Sequence, residues 1–161
     1  MSLKPSLFYR PCAGIMLFNK QGQVLVGRRL DSYQNAWQLP QGGIDEGEEP
    51  KVAALRELKE EIGTCNAEII GEIKNWLNYD LPPELLGKLW NGRFRGQTQK
   101  WFAMRFMGNN NEINPTAVAN PEFSAWKWTD INKIEKMAVP FKRLVYQSVV
   151  TEFSRFAKVH E

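Results

Sequence analysis

The sequence of 161 residues contains only one histidine and two cysteines. His160 is the penultimate residue, where chains are usually poorly ordered, so Ser-His-Asp triads, Cys-His pairs and histidine-ligated metal sites lack a plausible member. Cys12 and Cys65 lie far apart without C-x-x-C spacing, which argues against a redox motif or a zinc cluster. We expect both to be small buried hydrophobic side chains. Any catalysis must therefore depend on other groups.

Long apolar runs are absent as well. No segment approaches the roughly 18 consecutive apolar residues that a membrane span needs. The first ten residues also lack the continuous apolar stretch and cleavage site of a secretory signal. With 43% hydrophobic and 24% charged residues, the composition is that of an ordinary globular protein. We therefore expect one domain over residues 1–161, no membrane association and a cytoplasmic location.

Apolar periodicity and the positions of glycine and proline predict a mixture of strands and helices without a regular βαβ alternation. This pattern favours one α+β or three-layer domain. The predicted elements are a hairpin at 11–29, a loop at 30–36, a helix at about 51–62, strands at 66–76, 99–107 and 122–128, a long loop at 81–96, and a C-terminal helix marked by Phe141, Val145, Val149, Phe153 and Phe156.

The helix at 51–62 carries three glutamates, Glu57, Glu60 and Glu61, on one face and apolar residues such as Leu58 and Ile62 on the other. It should bury its apolar side and point the three carboxylates outward. Like charges at this spacing repel one another, and a hard divalent cation such as Mg²⁺ or Mn²⁺ would offset the repulsion. On spacing alone, a solvated helix face explains the glutamates better than a metal site does.

The surrounding residues make the pattern more specific, because they reproduce the signature of a known family. The matching pattern is Gly42-x5-Glu48-x7-Arg56-Glu57-Leu58-x-Glu60-Glu61-x-Gly63. It resembles the Nudix hydrolases, and departs from their usual pattern only at Thr64, where an aliphatic residue is common. The resemblance implies an α+β fold of the α/β/α sandwich type with a mixed sheet. It also implies a loop-helix-loop at 42–64 that holds divalent cations against a pyrophosphate.

The resemblance assigns a role to each matching position. Arg56 would orient a glutamate, Glu48 would steady the loop, and Gly63 would end the helix. Glu57 or Glu61 would act catalytically by taking a proton from the attacking water. The metal ligands that the family implies are Glu57, Glu60, Glu61, the carbonyl of Gly42 and, outside the signature, Glu122.

Further segments across nearly the whole chain resemble the bacterial RNA pyrophosphohydrolases. They include Tyr9-Arg-Pro11, Trp37-Gln-Leu-Pro-Gln-Gly-Gly43, Gln97-x-Gln-Lys-Trp-Phe102 and Phe141-Lys-Arg143. That group converts a 5′ triphosphate of RNA to a monophosphate, which promotes transcript decay, and it merges in sequence with the dinucleoside polyphosphate hydrolases. The expected partner is therefore 5′-triphosphorylated RNA or a dinucleoside polyphosphate. The alternatives are hydrolysis of diadenosine tetraphosphate and, in another class, a Nudix-like binding module without turnover.

Several polar and basic residues are candidates for substrate contacts. Arginine forks and lysine charges both suit phosphate oxygens, although each base could equally be a solvated surface charge. The segment 88–101 interleaves bases with aromatics, which suits either a clamp on single-stranded RNA or a loop pinned to the core. The candidate substrate-binding residues are Arg10, Arg29, Gln41, Tyr79, Lys100 and Lys142.

The formal net charge of +3 is unevenly distributed along the chain. Residues 42–63 carry seven acids against three bases, whereas the rest of the chain carries 18 bases against 11 acids. This distribution favours an acidic cation site within a basic molecule, as an enzyme acting on an anionic polymer requires.

Overall fold

The fold is built on one mixed sheet. A computed structural model describes residues 8–30 and 36–158, so His160 and most of the predicted loop at 30–36 lie outside the described residues. Within the described part, the strands are β1 (Phe8–Phe18), β2 (Val24–Arg29), β3 (Trp37–Gln38), β4 (Gln41–Gly43), β5 (Ala67–Glu72), β6 (Leu77–Asp80), β7 (Phe94–Phe106) and β8 (Phe123–Thr129).

The longest pairing in the sheet joins β1 to β7 in parallel, from Phe8 beside Phe94 to Phe18 beside Arg105. The main path of the sheet runs β3-β2-β1-β7-β5, with β4 on β1, β6 on β7 and β8 on β2. All of these other pairings are antiparallel. The predicted hairpin is confirmed, since β1 and β2 meet at Phe18 and Val24. β1 therefore lies at the centre of the molecule.

The described residues form three α-helices, α1 (Pro50–Ile62), α2 (Ile134–Met137) and α3 (Arg143–Phe153). α1 begins at a proline, which needs no backbone donor there. It ends at Gly63, whose φ of 92° suits glycine and whose N–H donates to the Lys59 carbonyl. The predicted bounds of α1 are thus confirmed. None of the helices among the described residues is long and apolar enough to cross a membrane.

The two faces of the sheet each bury a core, because side chains alternate along its strands. On β1, Ile15 and Leu17 face α1, whereas Met16 and Phe18 face α3. The residues that α1 contributes to its core are Ala53, Ala54, Leu58 and Ile62. The residues that α3 contributes to the opposite core are Val145, Tyr146, Val149 and Phe153. The layers are therefore helix, sheet and helix, as the α+β prediction with an α/β/α sandwich requires.

Four local predictions need correction. The strand predicted at 66–76 ends at Glu72, and Trp76 is 42% exposed before a separate strand, β6. The loop predicted at 81–96 contains the start of β7, which pairs with both β1 and β6. Cys12 is buried as expected, but Cys65 is exposed in the turn after α1. The C-terminal helix is shorter than predicted, since Phe141 and Phe156 lie in the short 3-10 turns that flank α3.

The core of the α1 face can be tested with two leucines of opposite burial. Leu58 is fully buried on α1, whereas Leu144 on α3 is 78% exposed. We expect Leu58→Ala to lower the free energy of unfolding by about 2–5 kcal/mol, because it leaves a cavity. The control Leu144→Ala should change it by less than about 0.5 kcal/mol. Chemical denaturation of both variants measures the difference, and equal losses would contradict the placement of α1.

Candidate active site

A cleft of about 970 Å³ collects most of the residues that the sequence singled out. Its lining comes from β1, β2, β4, α1, β6, β7, the segment before β8 and the turn before α3. The predicted site residues that line it are Arg10, Arg29, Gln41, Gly42, Glu57, Glu60, Glu61, Gly63, Tyr79, Glu122 and Lys142. Acidic residues of α1 thus share one cavity with basic residues from β1, from β2 and from the turn before α3.

Arg56 lies behind the acidic wall and joins α1 to the preceding loop. Its Nε and Nη2 donate to both oxygens of Glu48 at 2.8 Å, and Nη2 also donates to the Gly43 carbonyl at 2.9 Å. Its Nη1 donates to Glu57 at 2.8 Å and to Glu60 at 3.1 Å. A guanidinium can make these bonds together because its donors form a rigid planar fork.

Glu48 completes the link between the loop and the helix. One of its oxygens also accepts the Asp45 backbone N–H at 3.0 Å, so its carboxylate closes the turn at 45–48. Hydrogen bonds from Arg56, and then from the Asp45 backbone, lower the pKa of Glu48 to about 2. Glu48 therefore stays ionised over the physiological range, and the loop remains tied to Arg56.

Glu61 differs from the other glutamates of α1, because it is only 4% exposed and does not point outward. Its Oε1 accepts the Gln41 backbone N–H at 3.1 Å, while its Oε2 is buried and has no hydrogen-bond partner among the described residues. Burial, and then the nearby charge of Glu122, raises the pKa of Glu61 well above its ordinary value. The prediction of three outward carboxylates is therefore wrong at Glu61.

Glu57 and Glu60 complete the acidic wall at different depths. The side chain of Glu57 is 14% exposed, and that of Glu60 is 57% exposed. Burial raises the pKa of Glu57 despite its contact with Arg56. Glu57 packs against Gly42, where a Cβ would overlap its carboxylate. Glycine at this position therefore allows the loop to lie directly on the glutamate.

The chemistry of this wall fits a hard divalent cation. Its donors are all oxygens, and the buried Oε2 of Glu61 has no hydrogen-bond partner among the described residues, which leaves it available to a cation. In the described part of the chain, no three acidic, cysteine or histidine side chains are already close enough to hold one ion together. Glu57 and Glu60 are instead paired with Arg56. A bound cation would therefore compete with Arg56 for these two carboxylates.

Two bases of the cleft, Arg29 and Lys142, are held by the side-chain amide of Gln38. Gln38 Oε1 accepts from Arg29 Nη1 at 3.1 Å and from Lys142 Nζ at 3.3 Å. Gln38 and Lys142 are both nearly buried, at 6% and 4% exposure. A carbonyl oxygen between two cations offsets their repulsion, so it keeps both charges on the same wall.

Aromatic side chains border these bases. Tyr79 lies 5.6 Å from Phe141 between ring centroids, and the Lys142 ammonium lies 5.8 Å from the Tyr79 ring. At the other end of the cleft, the Arg10 guanidinium lies 5.4 Å from the Trp90 ring. Trp90, from the predicted 88–101 segment, therefore lines the cleft and also packs against the core on the α3 face.

Lys100 is the one candidate base that the structure does not bring into the cleft. Its ammonium donates to the carbonyls of Ile73 and Lys74 at 2.8 and 3.0 Å and pairs with Glu72 at 3.3 Å. These contacts fix the end of β5, and Lys100 does not line the cavity. The structure therefore does not bring Lys100 together with the other candidate bases, and its role as a phosphate contact stays a prediction.

Three buried glutamines were not predicted as site residues. Gln38, Gln97 and Gln99 are at most 6% exposed, and the first two line the cleft. The sequence does hold a signal for two of them, because Gln97, Gln99 and Trp101 alternate along one face of β7. Amides on the same face as a buried tryptophan indicate a polar network inside the core.

Comparison with known proteins agrees with this geometry. A family model described as NUDIX domain matches residues 8–149. The RNA pyrophosphohydrolase of Rhodospirillum rubrum is 59% identical over 149 residues, which are 92% of this chain and 89% of the relative. The RNA pyrophosphohydrolase of Wolbachia pipientis subsp. Culex pipiens is 51% identical over 150 residues, which are 93% and 92% of the two chains.

Solved structures show the same fold at lower identity. The Escherichia coli dihydroneopterin triphosphate pyrophosphohydrolase superposes with a TM-score of 0.68 at 20% identity, covering 90% of this chain and 99% of that one. A Caenorhabditis elegans Ap4A hydrolase superposes with a TM-score of 0.65 at 19% identity, covering 91% and 98%.

The burial of Glu61 predicts a gain in stability when its charge is removed. Without divalent cations, Glu61→Gln should raise the free energy of unfolding by about 1–3 kcal/mol at neutral pH, because it removes a buried charge whose Oε2 has no hydrogen-bond partner among the described residues. Since the folded-state pKa is raised, the native protein loses stability as the pH rises above the ordinary value of 4.5. The gain should therefore shrink as the pH falls toward that value.

Denaturation curves at several pH values measure this effect. Glu60→Gln is the matched control, since Glu60 lies on the same helix but is exposed. Equal behaviour of the two variants would contradict the special environment of Glu61.

Proposed function

This chain belongs to the Nudix hydrolase family, and we propose that it hydrolyses the 5′-terminal triphosphate of RNA, releasing pyrophosphate and leaving a 5′ monophosphate. The relatives named above carry that activity in their names and match nine tenths of this chain. The observation in the structure that supports the proposal is a single cleft lined both by carboxylates and by three bases, Arg10, Arg29 and Lys142. Hydrolysis of a polyphosphate requires both kinds of group, because carboxylates hold cations and bases bind phosphate oxygens.

Members of the family use divalent cations, and we assign Mg²⁺ or Mn²⁺ to the acidic wall. The ligands would be Glu57, Glu60, Glu61 and Glu122, with the Gly42 carbonyl. When bound, the cation neutralises phosphate charge and lowers the pKa of a coordinated water. Support for this assignment comes from the all-oxygen donor set and from the unpartnered Oε2 of Glu61.

The protein's own residues would position the substrate and move the proton. Arg10, Arg29 and Lys142 would bind phosphate oxygens, because all three line the same cleft as the glutamates. Glu57 or Glu61 would accept the proton of the attacking water, since burial raises the pKa of both carboxyls.

The first nucleoside would lie near the aromatic residues of the cleft. Tyr79 and Trp90 line it at separate positions, and each has a cation near its ring. Bases stack on such rings without strict sequence preference. In this proposal residues 1–161 act as one unit in the cytoplasm, where 5′-triphosphorylated transcripts are made, and the monophosphate product promotes transcript decay.

A direct assay separates the candidate activities. With Mg²⁺, we expect pyrophosphate to be released from triphosphorylated RNA clearly faster than diadenosine tetraphosphate is cleaved into mononucleotides. Glu57→Gln should lose this activity by at least about 100-fold while keeping its fold, because a cation ligand and candidate base is removed. Faster turnover of the dinucleotide would make this chain a dinucleoside polyphosphate hydrolase. No turnover of either compound would favour a binding module.

The role of the basic wall can be tested with two adjacent arginines. Arg29 lines the cleft, whereas Arg28 is exposed and lies outside it. We expect Arg29→Ala to raise KM for triphosphorylated RNA by about 10-fold or more, with a smaller change in kcat, because a charge-assisted bond to phosphate is lost. Arg28→Ala should leave KM within about twofold. Steady-state kinetics measure both values. Similar KM values for the two variants would show that Arg29 does not bind the substrate.

A further inference from the structure

We propose that Gln99 and Trp101 are positioning residues that fix the orientation of the Gln41 and Gln97 amides, so that both amides present N–H donors to phosphate oxygens in the cleft. The inference rests on the proposed function only in that a phosphate group occupies the cleft. It concerns the neutral amides of Gln41 and Gln97, which line the cleft together with the charged residues.

A continuous chain of hydrogen bonds carries the proposal. Trp101 Nε1 donates to Gln99 Oε1 at 3.1 Å. Gln99 Nε2 donates to Gln97 Oε1 at 2.7 Å and also to Gln41 Oε1. Trp101 and Gln99 are at most 1% exposed, so water does not compete for these bonds.

The direction of the chain follows from chemistry. An indole N–H can only donate, so the oxygen of Gln99 must face Trp101 and its nitrogen must face the other two amides. The nitrogen of Gln99 then requires an oxygen from both Gln41 and Gln97. Their own nitrogens are left over, and neither donates a hydrogen bond to any residue in the described ranges. Both residues line the cleft, where these donors are available to a ligand.

Small residues in β1 make the contact possible. Gln41 on β4 and Trp101 on β7 both pair with Gly14, on its two sides, and Gln99 pairs with Cys12. A Cβ on Gly14 would lie 2.6 Å from the Trp101 ring. Because Gly14 has no side chain, side chains from the strands on the two sides of β1 can meet above it.

The consequence is a neutral donor surface for an anion. Amide N–H groups bind phosphate oxygens, whereas amide oxygens in the opposite orientation would repel them. The backbone N–H of Gln41 also donates to Glu61 at 3.1 Å, so Gln41 connects the donor surface to the acidic wall. An orientation fixed before binding removes part of the ordering cost of binding.

The first test is Gln99→Met, which keeps the size of the side chain but removes the amide. The probe is imidodiphosphate, whose bridging P–N bonds resist hydrolysis, at a fixed excess of Mg²⁺. We expect calorimetry to show about 5- to 20-fold weaker binding, because the two amides lose their fixed orientation. KM for triphosphorylated RNA should rise by a similar factor, while kcat changes less than about twofold. Gln147→Met, an exposed change on α3, should leave both values unaltered.

Trp101→Phe provides a second variant that keeps the aromatic packing and removes only the N–H. It should weaken binding of the probe in the same direction by a smaller factor. In the double variant Gln41→Met with Gln99→Met, the loss should be smaller than the product of the two single losses, because Gln99 acts in part through Gln41.

The outcomes distinguish this inference from the proposed function. Unchanged binding in folded Gln99→Met and Trp101→Phe, or fully multiplicative losses in the double variant, would overturn it. An equal loss of kcat with unchanged binding would also overturn it. If the protein binds imidodiphosphate with the expected dependence on Gln99 but does not hydrolyse RNA, the inference stands and the proposed function fails.

Discussion

The guanidinium of Arg56 is bonded at once to the Gly43 carbonyl, to Glu48 and to two glutamates of α1. These bonds hold a glycine-rich loop against a helix that would otherwise carry three repelling carboxylates. Because the loop is held there, the backbone N–H of Gln41 reaches Glu61. The depth at which each glutamate lies in the cleft therefore depends on one side chain that does not itself line the cleft.

The rest of the cleft is lined by positively charged side chains and by neutral amides. Gln38 separates two cations, and Gln99 orients two amides. In both places, a buried amide oxygen or nitrogen determines what its neighbours present to the cavity. A polyphosphate entering this cleft would thus meet groups whose directions are already set, at a lower cost in entropy than mobile surface lysines would impose.

How much of this could be read from the sequence varied with the range of the interactions. The bounds of α1 depend on Pro50 and Gly63, which act locally, and they were predicted. The start of β7 was missed, because residues 94–98 are mostly polar and become a strand only by pairing with β1 and β6. Helix geometry placed Glu60 and Glu61 on one face, but Glu61 is buried and accepts the backbone N–H of Gln41, which lies 20 residues away in the chain. Lys100 was grouped with the bases of the cleft for a similar reason, because its partners at the end of β5 are brought to it only by the fold.

The parallel pairing of β1 with β7 also sets the order of events when the chain is made. β1 leaves the ribosome well before β7, yet Phe8 pairs beside Phe94 and Phe18 beside Arg105. Such non-local pairing slows folding, because the long intervening loop must close before the contacts form. Until then the apolar strand at the centre of the sheet stays uncovered and open to association with other chains. Glu122 and Lys142 follow still later in the chain, so the cleft is complete only after both have been made.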